Sequence, residues 1–239
     1  ALGNTQPGGR MVLAAGDYDE GVLLAKSISL VGRCSSMVTL SGTREGVIGP
    51  TAVEVKGSVA VGVSDIMVSG PGSGVLVHSD AQLTLERAAI TDNHGVGIFV
   101  DGAGTTVVAT GVVIARTQPL ADGALGRGIN LQAGAQLTLE RAALTDNHEV
   151  GFFAVDAGTT VVATDLAITR TKHHGDGMHG SGMGVHDGAS LTLERVAIAD
   201  NHNVGLFADG ASATAVATEV VITRTQPRAD GTFGRGIVV

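Results

Sequence analysis

An all-β solenoid, a right-handed parallel β-helix of about nine rungs, is predicted by three features. They are a 54-residue unit repeated three times, a division of each unit into two rungs, and short apolar strands with period-2 alternation. Leu-Thr-Leu-Glu-Arg occurs at 83–87, 137–141 and 191–195, so the spacing is 137 − 83 = 54 and 191 − 137 = 54. Asp-Asn-His follows each copy, at 92–94, 146–148 and 200–202. Arg-Thr recurs at 116–117, 170–171 and 224–225. Within a unit, 134–144 aligns with 158–168, an offset of 24, which divides 54 residues into rungs of 24 and 30. The longer rung carries an extra Gly-rich loop.

The strands follow from the alternation. Leu83, Leu85, Ala88 and Ile90 fall on one side, Thr84, Glu86 and Ala89 on the other. Leu83, Leu85, Ile90, Ile98, Val100, Leu137, Leu139, Leu144, Leu191, Leu193 and Ile198 are the expected core. Gly, Asn and Asp punctuate the strand ends, as turns require. Three short strands in about two dozen residues describe one coil. Coils stacked at about 4.8 Å bury apolar sides that one coil cannot bury alone, and nine make a rod roughly 40 Å long. Residues 1–73 form about three irregular rungs and 74–239 six regular ones, within a single domain.

Composition supports a packed chain and excludes several classes. Of 239 residues, 36 are Gly and 44% are hydrophobic, so a core is available. The glycines lack a three-residue period, which excludes collagen. A net charge of −8 excludes nucleic acid as an expected partner. Apolar runs are too short to span a bilayer, so no membrane insertion is expected. Cys34 stands alone and forms no internal disulfide. With no phosphate-binding loop, nucleophile elbow or calcium nonapeptide, no cofactor is expected.

Candidate chemistry is weighed against the repeat. Asn93, Asn147 and Asn201, with Thr117, Thr171 and Thr225 between them, read as a structural ladder at one corner. The adjacent row, Asp92, Arg116, Asp146, Arg170, Asp200 and Arg224, alternates in sign and controls register. His94, His148 and His202 are two rungs apart, about 9.6 Å, too far to share a metal. Glu86, Glu140 and Glu194 occupy identical environments, which does not split two carboxyl pKa values as catalysis needs. Loops 117–127, 171–181 and 225–235 emerge at one corner as three fingers. In the middle finger His173, His174, Asp176 and His179 form the one weak metal candidate. No catalytic residue is assigned.

The face beside the fingers holds the expected ligand site. Alternation turns Phe99, Phe153 and Phe207 outward, with Leu76, Asn130 and Gly184 in the intervening rungs. Two residues on lie His78, Asp101, Gln132, His186 and Asp209. His78 is expected beside Asp101 and His186 beside Asp209. The acidic balance argues against a polyanion there, unless the loop residues Arg127 and Arg235 create a local positive patch beside the groove.

The stretch Pro7-Gly-Gly-Arg-Met-Val-Leu-Ala-Ala-Gly-Asp-Tyr-Asp-Glu-Gly-Val-Leu-Leu, followed by Lys26-Ser-Ile-Ser-Leu-Val-Gly32, resembles the opening coils of bacterial right-handed parallel β-helix repeat proteins of the pectin-lyase-like superfamily. Asp-Asn-His followed by Gly-Val-Gly-Ile resembles their Asn-bearing turns. The resemblance covers nearly the whole chain. It implies the fold, while lyases, epimerases, depolymerases and adhesins all share that fold. It also implies an amphipathic cap whose last stub is Ala1-Leu2. The signature residues of polygalacturonases and pectate lyases are missing. The expectation is a noncatalytic scaffold or binding module of a secreted or surface protein. It would be extracellular or at the cell surface, acting as spacer or adhesin and meeting a glycan or a protein surface. The other reading is a polysaccharide lyase, hydrolase or epimerase. A chain ending in an open strand at 236–239 is further expected to self-associate end to end.

Overall fold

The computed structural model describes residues 5–46, 48–173, 177 and 179–239. Ala1-Leu2, the expected cap stub, lies outside them. Among the described residues every regular element is a β-strand. The chain winds through nine rungs. The first is Arg10–Val12, Gly16–Tyr18 and Val22–Leu24, and the last is Thr214–Thr223 and Arg235–Val238. The first two segments of each rung build a 14-stranded sheet, bent along its length, and the nine third segments, with the added strand Arg44–Gly46, build a 10-stranded sheet. Pairing is parallel from rung to rung. One antiparallel hairpin departs from it, joining Arg44–Gly46 to Gly49–Lys56.

Stacking in register makes the core a set of rows. Leu85, Ala109, Leu139, Ala163 and Leu193 lie one above another. So do Ile90, Ile114, Leu144, Ile168 and Ile198. All eleven core residues expected above are buried. Each large aliphatic side chain buried in this way contributes about 1.5–3 kcal/mol.

The bend between the first two segments comes from single residues in the left-handed region. Arg87, Arg141, Asp165, Arg195 and Glu219 have φ of 48–55°. One such residue reverses the strand's parity, so Leu139 and Ala142 both point inward although three positions apart. At the next corner Asp92, Arg116, Asp146, Arg170, Asp200 and Arg224 adopt φ of 52–57°. There each arginine grips the aspartate one rung earlier with two hydrogen bonds: Arg116 on Asp92 at 2.7 and 2.6 Å, and Arg224 on Asp200 at 2.6 Å twice. The bend corner carries its own pairs, Arg87 on Asp65 and Arg195 on Asp165.

Inside the second corner stand the asparagines. Asn147 donates from Nδ2 to the Ile114 carbonyl at 3.1 Å and accepts from the Thr117 N–H at 3.0 Å. Asn201 repeats both bonds with Ile168 and Thr171. Just beyond, a glycine ladder sets a close approach. A Cβ on Gly97, Gly128, Gly151 or Gly182 would stand 2.4–2.7 Å from the carbonyl oxygen of the next glycine in the stack.

Two expectations follow. Asn147→Ala leaves a buried N–H and a buried carbonyl without these partners and should cost about 2–6 kcal/mol in urea unfolding, at about 1–3 for each group. A loss under about 1 kcal/mol would contradict this account. The arginines hold the carboxyls of Asp65, Asp92, Asp146, Asp165 and Asp200 below the usual aspartate range. That stabilisation is present above about pH 4, the unfolded aspartate value, and is lost as pH falls through the depressed folded values. Melting temperature should therefore hold between about pH 5 and 7 and fall below about pH 4. Replacing Asp92, Asp146 and Asp200 together by Asn should flatten that fall. An unchanged acid limb in the triple variant would exclude the ladder as its source.

Candidate functional site: one face of the ten-stranded sheet

Two outward rows run along the ten-stranded sheet beside the fingers. The first is Leu23, Glu54, Leu76, Phe99, Asn130, Phe153, Gly184, Phe207 and Val238. The second contains Lys56, His78, Asp101 and Gln132, with His186 and Asp209 further along. The structure thus brings together the sheet residues expected from alternation, and it divides them into three zones.

At the start lies a charged cluster under the hairpin. Glu54, only 2% exposed, takes a place that holds Phe in later rungs. It meets Arg44, Lys56 Nζ at 3.6 Å and His78 Nε2 at 2.9 Å. His78 Nδ1 lies 2.9 Å from Ser79 Oγ. Burial, with Lys56 nearby, lowers the His78 pKa. His78 and Asp101 are neighbours across one rung, as alternation leads one to expect. The hydrogen bonds lie elsewhere: the buried carboxylate of Glu54 draws the imidazole, and Asp101 accepts from Gln132 Nε2 at 3.0 Å.

The middle zone is a polar chain. Arg127 grips Glu149 with Nε at 3.1 Å and Nη2 at 2.6 Å, and donates from Nη1 to Asn130 Oδ1 at 2.6 Å. Asn130 Nδ2 donates to Gln132 Oε1 at 3.3 Å. The guanidinium also lies 4.3 Å from the Phe153 ring centroid. Glu149 thus neutralises Arg127, so this arginine adds no positive patch beside the groove. The same two places hold Ser73 and Gly95 in the preceding unit and Ser181 and Asn203 in the following one, where Asn203 Nδ2 donates to Ser181 Oγ at 3.0 Å.

The last zone is aromatic. His186 sits between Phe153 and Phe207, with centroids 5.1 and 4.8 Å away, and its Nδ1 is 4.0 Å from Asp209. The Phe207 ring covers Gly184, where a Cβ would lie 2.1 Å from the ring. Finger residues close one side: Arg228 donates from Nε to Asn203 at 2.8 Å and stacks 3.7 Å from the Phe233 centroid. Exposed Arg235 lies 5.4 Å from the same ring. Arg228 and Phe233 border a cleft of about 410 Å³ that Ser181, His186, Asn203 and Phe207 also line. Leu125, His179 and Phe233, at one finger position, all have φ of 62–64°.

The histidines beside the asparagines anchor fingers. His94 Nδ1 donates to the Pro119 carbonyl at 3.3 Å and His202 Nδ1 to that of Thr171 at 3.0 Å. His173 packs edge-on against His202, centroids 4.5 Å apart. His174 and Asp176 lie outside the described residues. Among the described residues no three His, Cys, Asp or Glu groups converge for a metal, and no helix is long and apolar enough to cross a membrane.

Such a coil places the protein in a known class. The family described as the right-handed β-helix region matches residues 26–167, and the chain belongs to it. No curated relative matches. Similar solved structures include ORF18 of Geobacillus virus E2, 13% identical over 90% of this chain and 52% of that one, TM-score 0.36. A mannuronic acid specific polysaccharide family 6 lyase from human gut microbiota is 13% identical over 86% and 62%, TM-score 0.38. The A-module of an Azotobacter vinelandii mannuronan C-5 epimerase is 13% identical over 97% and 85%, TM-score 0.38. The chain spans about half the length of the first of these and less than two thirds of the second.

Side-chain exposures of 20% and 12% leave the Arg127–Glu149 pair largely desolvated. Arg127→Ser alone strands that carboxylate and should cost about 2–3 kcal/mol. Adding Glu149→Asn imports the pair of the following unit and should restore most of the loss. Denaturant midpoints of the single and double variants measure this coupling, and additive losses would refute it.

Proposed function

We propose that this chain is a binding scaffold, part of a secreted or surface protein, whose ligand lies along the loop-edged face and meets the aromatic cleft. The observation that carries this reading is the ledge of Phe153, His186 and Phe207, partly exposed and beside a cleft bordered by Phe233 and Arg228. Aromatic rings there offer apolar area at a small cost in conformational freedom. The polar groups around them bond mainly to one another, as Arg127 does with Glu149 and Asn130, which suits positioning rather than proton transfer. A neutral glycan or a protein surface fits a chain of net charge −8 better than a polyanion. Phe99, Phe153 and Phe207 recur every second rung, about 9.6 Å, so an extended ligand could meet successive contacts.

Glycan arrays and cell-envelope extracts supply the test. Phe153→Ala and Phe207→Ala should each weaken binding about tenfold, equivalent to about 1.4 kcal/mol. A bound ligand retained equally by both variants and by the wild type would place the contact elsewhere.

A further inference from the structure

The charged cluster at the start of the face holds a second arrangement, separate from the aromatic cleft. Ser79 Oγ lies 2.9 Å from His78 Nδ1, and His78 Nε2 lies 2.9 Å from Glu54 Oε1. We propose that Ser79 is an activated nucleophile, with His78 as its general base and Glu54 as the residue that positions the base, and that the site attacks carboxylic esters and related acylating groups. A hydroxyl, an imidazole and a carboxylate in one hydrogen-bonded line form the general pattern of nucleophilic catalysis, whatever their order in the chain.

The proton positions follow from the charges. Arg44 and Lys56 both contact Glu54, which makes it an ionised acceptor. A carboxylate accepts only, so Nε2 of His78 carries the ring proton and Nδ1 faces the serine hydroxyl as acceptor. Burial and the charge of Lys56 keep the imidazole neutral at neutral pH, the form a base requires, while Asp101 in the next rung acts in the opposite direction. Ser79 itself is exposed and lies, with Asp80, in the left-handed region at φ of 59° and 63°. The group that must meet substrate faces water, and the group that orients the base is buried.

The repeat sharpens the case. The places of Glu54, His78 and Ser79 hold Phe99, Gln132 and Ala133 in the next unit, and Phe153, His186 and Asp187 in the one after. The fold does not need this trio, since the same coil is built twice without it.

The chemistry balances. Ser79 Oγ attacks the ester carbonyl carbon as its proton passes to His78 Nδ1. The bond from carbon to the leaving oxygen breaks, the alcohol takes that proton, and an acyl group remains on Ser79. Water then attacks the acyl carbon, giving a proton to Nδ1. The carboxylic acid departs, and the proton returns to Ser79 Oγ.

An alkyl fluorophosphonate tests the site without a known substrate. Ser79 Oγ would bond to phosphorus as fluoride leaves with the proton. Peptide mass spectrometry of the full chain should find one modified serine, Ser79, and Ser79→Ala should abolish labelling. His78→Gln, which installs the residue of the next unit, should slow labelling about 100-fold or more. In the wild type the rate should fall as pH drops below the usual imidazole range, about 6.5, and His78→Gln should lose that limb. Glu54→Gln should keep the limb and lower the rate about tenfold, with melting temperature read on each variant. No adduct, labelling spread over other serines, or a rate unchanged in His78→Gln would overturn the proposal. None of these outcomes bears on the aromatic cleft, whose ligand is tested separately.

Discussion

Strict vertical register is the constraint from which the rest follows. Each residue in the regular rungs sits about 4.8 Å from its counterparts above and below, so a side chain must be compatible with its own column before anything else. Apolar columns become the core. Asparagine columns tie a corner to the carbonyls of the preceding rung. The glycine column exists because neighbouring backbones come too close for a Cβ. Charge columns are tolerable only where sign alternates, because like charges stacked directly would repel.

Chemistry concentrates where a column is interrupted. Glu54 stands between Leu23 and Leu76 in its column and gathers Arg44, Lys56 and His78 around it. Arg127 and Glu149 replace Ser and Asn of the following unit and form one neutralised pair. Gly184 removes a side chain and so gives the Phe207 ring its seat. In each case the repeated scaffold fixes the backbone, and one or two substitutions create a local environment that the other rungs lack.

Period and alternation made the coil readable in advance, down to the rows Leu76–Phe99–Asn130 and His78–Asp101–Gln132. Alternation states which side a residue faces, and stacking states what lies beside it. Neither says which neighbour a side chain turns towards. His78 does lie beside Asp101, yet its hydrogen bond goes to Glu54, which alternation does not reveal. Glu54 belongs to an irregular rung covered by an antiparallel hairpin, and that rung lies outside the repeat that revealed the other columns. The Arg127–Glu149 pair was missed for another reason: it joins a finger residue to the turn of the following rung, a contact set by loop conformation. The corner at Arg87, Arg141 and Arg195 was visible only as a reversal of parity between Leu85 and Ala88, a trace that does have a cause in single left-handed residues.

The corner of alternating aspartate and arginine has a consequence for how such a rod changes length. Removing one rung from its middle would set aspartate on aspartate, or arginine on arginine. Removing two rungs keeps the alternation of sign. Growth and shortening by duplication or deletion are therefore permitted only in whole 54-residue steps, each worth about 9.6 Å. The rod is graduated like a ruler whose divisions are fixed by electrostatic parity, and recombination between its related units would move its tip in those increments while keeping each aspartate beside an arginine.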